Sequence, residues 1–259
     1  MNIQAVLFDL GDTLIDFEPM DSRAVFRIGA ERTYAYLTQV GCKLPPFRKY
    51  CSSQLSAIRW SYLRAKLSGR EFNSLHLLRK LAKKHHFQDN EHILTRLAWL
   101  WYEPVIEYTS VEPDMIPTLA WLKSRGLKMG IISNTFVPGE VLDEHLRKTG
   151  LFPFFPVRIY SSEVGYRKPD KRIFELALKE LKADPATTLF IGDIVKTDIV
   201  GARRCGMKTV LKQPWANLTR HRLADHVIRK MADVVEILES QQIPEQPGIS
   251  PSPSGRGAG

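Results

Sequence analysis

Cysteine is scarce in this chain, and the few present do not pair. Cys42, Cys51 and Cys205 show no C-x-x-C spacing and join no Cys/His cluster. That argues against a disulfide framework or a thiolate metal site and makes a reduced, cytoplasmic chain the expectation. Long apolar runs are also missing. Nothing approaches the roughly 20 residues of a membrane span, so no membrane partner is expected. The apolar run near the N-terminus has no positive leader and is too short for a signal peptide. Internal repeats are absent. Acidic side chains are the minority, 28 against 37 basic, which gives a formal net charge of +9. The deficit favours anionic partners, whether phosphorylated small molecules, nucleic acid or an acidic surface, without choosing among them.

What is present suits a globular enzyme-sized chain. A length of 259 residues accommodates one large domain or a core with an insert, and 44% hydrophobic content can fill a sizeable core. The chain is organised around Ala5-Val6-Leu7-Phe8-Asp9-Leu10-Gly11-Asp12-Thr13-Leu14. A short apolar run stops at an aspartate and passes into a turn, which reads as a buried strand presenting Asp9 at its carboxyl end. Ligands of open parallel sheets bind outside those ends. Taken alone, a strand followed by an Asp-Gly turn is an equally good description.

From Ser22 to about Thr109 the periodicity is helical, with breaks at Gly41 and Pro45-Pro46, at Gly69 and at Gln88-Asp89-Asn90. This predicts four helices and no strand, with Pro104 interrupting the last. From Pro113 strands and helices alternate. Strands are expected at 127–132, 156–160, 188–191, 209–211 and 226–228, with helices at 113–122, 140–148, 170–181, 197–205 and 233–239. The alternation implies an α/β fold with a doubly wound, Rossmann-like parallel sheet. The core then comprises residues 1–16 and 110–240. Residues 17–109 form an inserted all-helical segment above the sheet's catalytic edge, the position of a lid or cap. Residues 241–259, rich in Pro, Gly and Ser, read as a disordered tail.

Four stretches converge on that edge: Asp9, Ser133-Asn134, Lys168 within Gly165-Tyr166-Arg167-Lys168-Pro169-Asp170, and Asp193 with Asp198. Asp9 and Asp193 can share a hard cation such as Mg²⁺, which takes one or two carboxylates plus carbonyls, waters and phosphate. Ser133 and the backbone around Asn134 can donate to phosphate oxygens, and Lys168 supplies positive charge. A carboxylate nucleophile beside a metal and a lysine is what phosphoryl transfer through an aspartyl-phosphate requires. Each piece has a plainer description: a turn at Ser133-Asn134, a helix cap at Asp170, a dipole-complementing residue at Asp198. The ordered set is harder to explain that way.

The four stretches resemble the motifs of the haloacid dehalogenase-like hydrolase superfamily. Phe8 to Leu14 is similar to its first motif and Ile131 to Asn134 to its second. Glu163 to Asp170 is similar to the third, and Ile191 to Asp198 to the fourth. The helical insert matches in position the cap of the subfamily whose cap follows the first motif. The resemblance implies a Mg²⁺-dependent phosphatase acting on a small anionic phosphorylated substrate. By it, Asp9 is nucleophile and metal ligand, with the Gly11 carbonyl and Asp193 completing the protein ligands. Ser133, Asn134 and Lys168 hold the phosphate, Lys168 also steadies Asp9, and Asp198 supports the site from behind.

One position departs from the pattern. The usual phosphatase motif has an aspartate two residues after the nucleophile, acting as general acid and then base. Here that residue is Gly11, and the aspartate follows at Asp12. General acid–base catalysis is worth roughly 10²–10⁴-fold, so the loss is substantial. Asp12 reaches the site through a rearranged turn, or the substrate has a good leaving group, or turnover is poor. A shift of one residue points a side chain elsewhere, so a structural role for Asp12 is favoured over a catalytic one. Two other functions follow from the same departure: a metal-independent 2-haloacid dehalogenase-type hydrolase, or a low-turnover phosphate-binding regulatory protein.

The insert carries most of the charge. Residues 17–110 hold fifteen basic and eight acidic side chains, a surplus of +7. Most of these are expected on solvated helix faces. Trp60, Trp99, Trp101 and Tyr102 are expected to pack within the insert. No basic groove interleaved with aromatics is evident, so nucleic acid is not an expected partner.

Overall fold

The computed structural model describes residues 3–214 and 220–240; the tail expected at 241–259 lies outside them. Strand β1 (Ala5–Phe8) is followed by the two-residue β2 (Asp16–Phe17). Four helices come next: α1 (Ser22–Gln39), α2 (Phe47–Ser68), α3 (Ser74–His85) and α4 (Glu91–Ile106). After β3 (Thr109–Ser110) and α5 (Met115–Ser124) the chain alternates through β4 (Lys128–Ser133), α6 (Gly139–Lys148), β5 (Val157–Tyr160), α7 (Ser161–Val164) and α8 (Lys171–Leu181). It ends with β6 (Thr188–Gly192), α9 (Val200–Arg204), β7 (Lys208–Lys212), β8 (His226–Ile228) and α10 (Asp233–Ser240).

Six strands form one sheet in the order β5-β4-β1-β6-β7-β8, every pairing parallel. The first strand therefore lies near the centre, between β4 and β6. Its register sets Phe8 beside Ile131 on one side and Ile191 on the other. Asp9, Ser133 and Asp193 consequently emerge side by side at one edge. The Asp9 N–H extends the ladder by donating to the Ile191 carbonyl at 2.8 Å.

Alternation along the strands feeds two cores. Val6, Phe8, Ile131 and Ile191 pack with Met115, Leu119, Leu142, Leu146, Val234 and Leu238 from α5, α6 and α10. Leu7, Ile132 and Phe190 face the opposite layer, where α8 contributes Ile173, Phe174, Ala177, Leu178 and Leu181. That spacing is one helical face. Asp170 caps the helix by accepting from the Arg172 N–H at 3.0 Å.

The insertion has a core of its own, including Leu37, Tyr50, Leu78, Leu81, Leu94 and Leu97, with Val141 of α6 joining from below. Asp21, Asn73 and Asn90 cap α1, α3 and α4 through side-chain oxygens, and Gly69 ends α2 in a left-handed conformation. Three expectations are corrected. Pro104 does not interrupt α4: it forgoes one donor, to the Leu100 carbonyl, and the helix continues through it to end two residues later at Ile106. The chain entering and leaving the insert pairs as the antiparallel ribbon β2–β3. Strands of two residues are too short to show a period. Trp60 does not pack: it is 64% exposed, and Leu63 and Leu67 are exposed on the same helix. Trp101 does pack, with its ring 4.4 Å from that of Phe26. Among the described residues no helix is long and apolar enough to cross a membrane.

Two buried polar side chains pin the ribbon to the core. Lys212, fully buried at the end of β7, donates to the Thr13 carbonyl at 2.9 Å and pairs with Asp16 at 3.0 Å and Glu112 at 2.7 Å. His145 of α6 meets Tyr102 Oη at 2.9 Å through Nδ1 and Thr109 Oγ1 at 3.2 Å through Nε2. The Thr109 hydroxyl already donates to the Ile106 carbonyl at 2.8 Å, so it accepts from Nε2–H, and Nδ1 accepts from Tyr102.

This arrangement suits a neutral imidazole. Burial lowers the His145 pKa from 6.5 to about 4. Between those values the unfolded chain binds a proton that the folded chain refuses, so stability falls as pH falls through 6.5 and levels off near 4. At pH 5 the loss from this group is about 2 kcal/mol relative to neutral pH. Urea unfolding of wild type and His145→Gln at pH 7.5 and pH 5 checks this. The variant is expected to show a pH dependence smaller by that amount, and equal dependences would remove His145 as the cause.

Candidate active site

At the centre of the edge is an ion network. Lys168 Nζ lies 2.5 Å from Asp9 Oδ1 and 2.8 Å from Asp198 Oδ1. All three residues are buried. The network depends on a close approach at the end of β6. A Cβ on Gly192 would lie 2.6 Å from the Asp198 Cβ, so glycine is what lets Asp198 close onto the sheet. Asp198 belongs to a π-helical turn, Val195–Ile199, and its other oxygen accepts from the Ile194 N–H at 3.0 Å. The helix expected at 197–205 is thus a π turn followed by the short α9.

The electrostatics are those of crowded carboxylates. Burial works against the Lys168 charge, and the carboxylates of Asp198 and Asp9 more than offset it, so its pKa is raised and it stays an ammonium. Burial pushes the Asp9 carboxyl up; Lys168 opposes this and Asp198 adds to it. Asp193 is raised to about 7, by burial first and then by the charges of Asp9 and Asp198. Its Oδ1 is buried with no hydrogen-bond partner. Oxygens of Asp9, Asp193 and Asp198 come within 4.8 Å of one another. Three carboxylates against one ammonium leave a deficit that a divalent cation would neutralise. All the donors are hard oxygens, so the set fits Mg²⁺.

The Lys168 backbone is held as firmly as its side chain. Asn134 Oδ1 accepts from the Lys168 N–H at 2.7 Å, and its Nδ2 donates to the Lys168 carbonyl at 3.0 Å. Both ends of that amide are engaged in positioning the lysine. Lys168–Pro169 is a cis peptide. Ser133, at the end of β4, is buried beneath the site. Next to Lys168, Arg167 lies 3.5 Å from Glu71 of the insert, and Ser161 Oγ donates to the same carboxylate at 3.1 Å.

The turn after Asp9 divides its work between two residues. Asp12 occupies the left-handed region, φ 52°, and its Oδ1 accepts from the Phe17 N–H at 3.0 Å. A short polar side chain tolerates that conformation because it can bond locally. Asp12 thereby ties the turn to the start of the ribbon. Gly11 is not in the left-handed region, and a Cβ there would meet the Phe17 ring at an ordinary 3.4 Å.

Asp9, Gly11, Asp12, Ser133, Asn134, Lys168, Asp193 and Asp198, all expected at the site from the sequence, line one cavity of about 380 Å³. Over residues 3–206 the sequence matches the family described as haloacid dehalogenase-like hydrolase. The chain belongs to that family. A glyceraldehyde 3-phosphate phosphatase of Methanothermobacter thermautotrophicus is 30% identical over 247 residues, covering 94% of this chain and 99% of the relative. A protein of the same name from Methanopyrus kandleri is 30% identical over 80% of this chain and 83% of its own length. Among solved structures, a 2-haloacid dehalogenase from Pseudomonas syringae superimposes with a TM-score of 0.62 at 24% identity, covering 92% of this chain and 99% of that one. A phosphatase of the family from Thermococcus onnurineus gives 0.58, also at 24% identity, over 91% of this chain and 98% of its own. Likenesses at that identity speak to the fold.

The haloacid dehalogenase-like site also contains residues that the sequence did not single out. Phe17, Tyr102, Arg167 and Thr197 line the same cavity. Arg167 adjoins a motif lysine and could have been noticed. Tyr102 carries no local signal, since only the docking of α4 brings it over the sheet edge.

Proposed function

We propose that this hydrolase is a Mg²⁺-dependent phosphatase acting on a small phosphorylated metabolite through an aspartyl-phosphate on Asp9. The observation that carries the proposal is the Asp9–Lys168–Asp198 network beside the unpartnered Asp193 oxygen. Full-length relatives named as phosphatases support it. In this reading Asp9 attacks phosphorus, the bond from phosphorus to the leaving oxygen breaks, and the electron pair departs with that oxygen. Water then attacks the aspartyl-phosphate, releasing inorganic phosphate and restoring the carboxylate. Lys168 holds Asp9 in line and offsets charge on the transferring group, and Asp198 holds Lys168. Asn134 contributes by fixing the Lys168 backbone, and Ser133 donates to a phosphate oxygen. Mg²⁺, when bound by Asp9, Asp193 and the Gly11 carbonyl, supplies charge neutralisation between carboxylates and phosphate. The helical insert acts as the cap. The chain's three cysteines, Cys42 and Cys51 in the insert and Cys205 in the α/β core, are free thiols, which supports a reducing, cytoplasmic setting.

Without an acidic side chain at residue 11, substrates whose leaving group departs as a stable anion are favoured. Acetyl phosphate is therefore the first substrate to test. Turnover is expected with Mg²⁺, is expected to stop with EDTA, and should return when Mg²⁺ is restored. Halide release from a 2-haloacid without metal would overturn the proposal in favour of the dehalogenase. Binding of phosphate analogues with no turnover of any phosphate would favour the regulatory protein.

A further inference from the structure

A second cavity, of about 340 Å³, lies where the insert meets the core. Val25, Phe26, Ile58, Leu77 and Trp101 supply apolar wall from all four insert helices, and Phe136 to Pro138 close it from the core side. That loop directly follows Ser133-Asn134. The polar side chains on the wall are Ser22, Gln54, Ser74 and Tyr102, and no residue lining it is charged. Tyr102 Oη is already bonded to His145. The cavity and the candidate active site share Tyr102 and Val137 as a common wall.

This composition is at odds with the rest of the insert. Segment 17–110 carries a surplus of seven positive charges, yet none of them faces this space. The two cavities adjoin at Tyr102 and Val137, which sets a polar, charge-binding space at the sheet edge beside an apolar one in the insert.

Building on the phosphatase reading, we propose that the leaving group of the substrate is apolar, an acyl, alkyl or aryl moiety that occupies this cavity while its phosphate sits at Asp9 and Lys168. A second phosphate or a carboxylate on the leaving group would be buried among side chains offering no counter-charge, so bisphosphates and phosphorylated acids are poor substrates. The substrate class is thereby separated from small polar sugar and triose phosphates.

The test is a series of straight-chain acyl phosphates from acetyl to octanoyl. Leaving-group acidity barely changes along it, so chain length reports the cavity alone. Each methylene buried is worth roughly a fourfold gain, so kcat/KM is expected to rise at least about tenfold from acetyl to hexanoyl phosphate, mainly through KM. In Ile58→Asp and Leu77→Asp, both half-buried positions, that gain is expected to disappear. A parallel titration of the wild type with alkylphosphonates from ethyl to hexyl reads binding without turnover. Turnover of acetyl phosphate with no gain along the series would overturn the proposal and leave the phosphatase reading standing. If no acyl phosphate is hydrolysed, the acyl-phosphate form of the phosphatase reading fails, and the titration decides the cavity alone. Tighter binding of longer phosphonates supports the apolar site, and equal binding overturns it.

Discussion

Asp9→Asn is expected to bring acetyl phosphate hydrolysis down to background, a loss on the order of 10⁴-fold or more, with the fold intact. An amide cannot form the acyl-phosphate intermediate. Stability is expected to hold or rise. Asp9 is one of three neighbouring carboxylates facing a single ammonium, and its carboxyl is already pushed up by burial. Lys168 keeps its 2.8 Å partner Asp198 when Asp9 is neutralised. Thermal unfolding beside the kinetics separates the two effects. Retention of a tenth of wild-type turnover in a folded variant would rule out Asp9 as nucleophile.

The informative control is Lys168, whose position is set from three directions. Asp9 and Asp198 hold the ammonium, and Asn134 holds the backbone on both sides. Such pre-organisation costs no rearrangement when charge develops on the transferring group. It also explains why an asparagine that the motif associates with phosphate has both of its polar groups turned to the lysine.

Much of this was legible in the sequence because the physics is local there. Apolar runs closing at Asp9, Ser133 and Gly192-Asp193 read as strands, and a parallel sheet brings their ends together. The breaks between helices of the insert were legible: Gly69 ends α2 and Asn90 caps α4 where their chemistry predicts. What could not be read depends on docking. Lys212 looks like the polar end of a strand until Asp16 and Glu112 arrive from segments far away in sequence. His145 sits in an amphipathic helix with no sign that Tyr102 and Thr109 will surround it. Trp60 has the size of a core side chain, but its helix turns that face to solvent. The apolar cavity is invisible for the same reason. Its walls are ordinary helix-face residues such as Val25, Ile58 and Leu77, and they enclose a space only after all four helices meet the loop at 136–138.

Gly11→Asp is expected to raise turnover of phosphate monoesters with poor leaving groups by roughly 10²–10⁴-fold, the usual range for a positioned general acid. The backbone admits the change. Residue 11 is not in the left-handed region, and a Cβ there meets only the Phe17 ring at contact distance. The left-handed demand falls instead on residue 12, where Asp12 meets it and bonds the Phe17 N–H. The variant thus gains an acid beside Asp9 without giving up the turn. The gain should be selective. Alkyl phosphates need a proton on the departing oxygen and should benefit, whereas acyl phosphates release a stable carboxylate and should change little. Plotting log kcat/KM, which reports the step that expels the leaving group, against leaving-group pKa for both proteins makes the comparison, with a steep negative slope expected for wild type and a shallow one for the variant. Parallel lines would mean that residue 11 does not reach the leaving oxygen. The site would then owe its chemistry to Asp9, Lys168 and the metal alone, and glycine at this position would not decide which leaving groups it accepts.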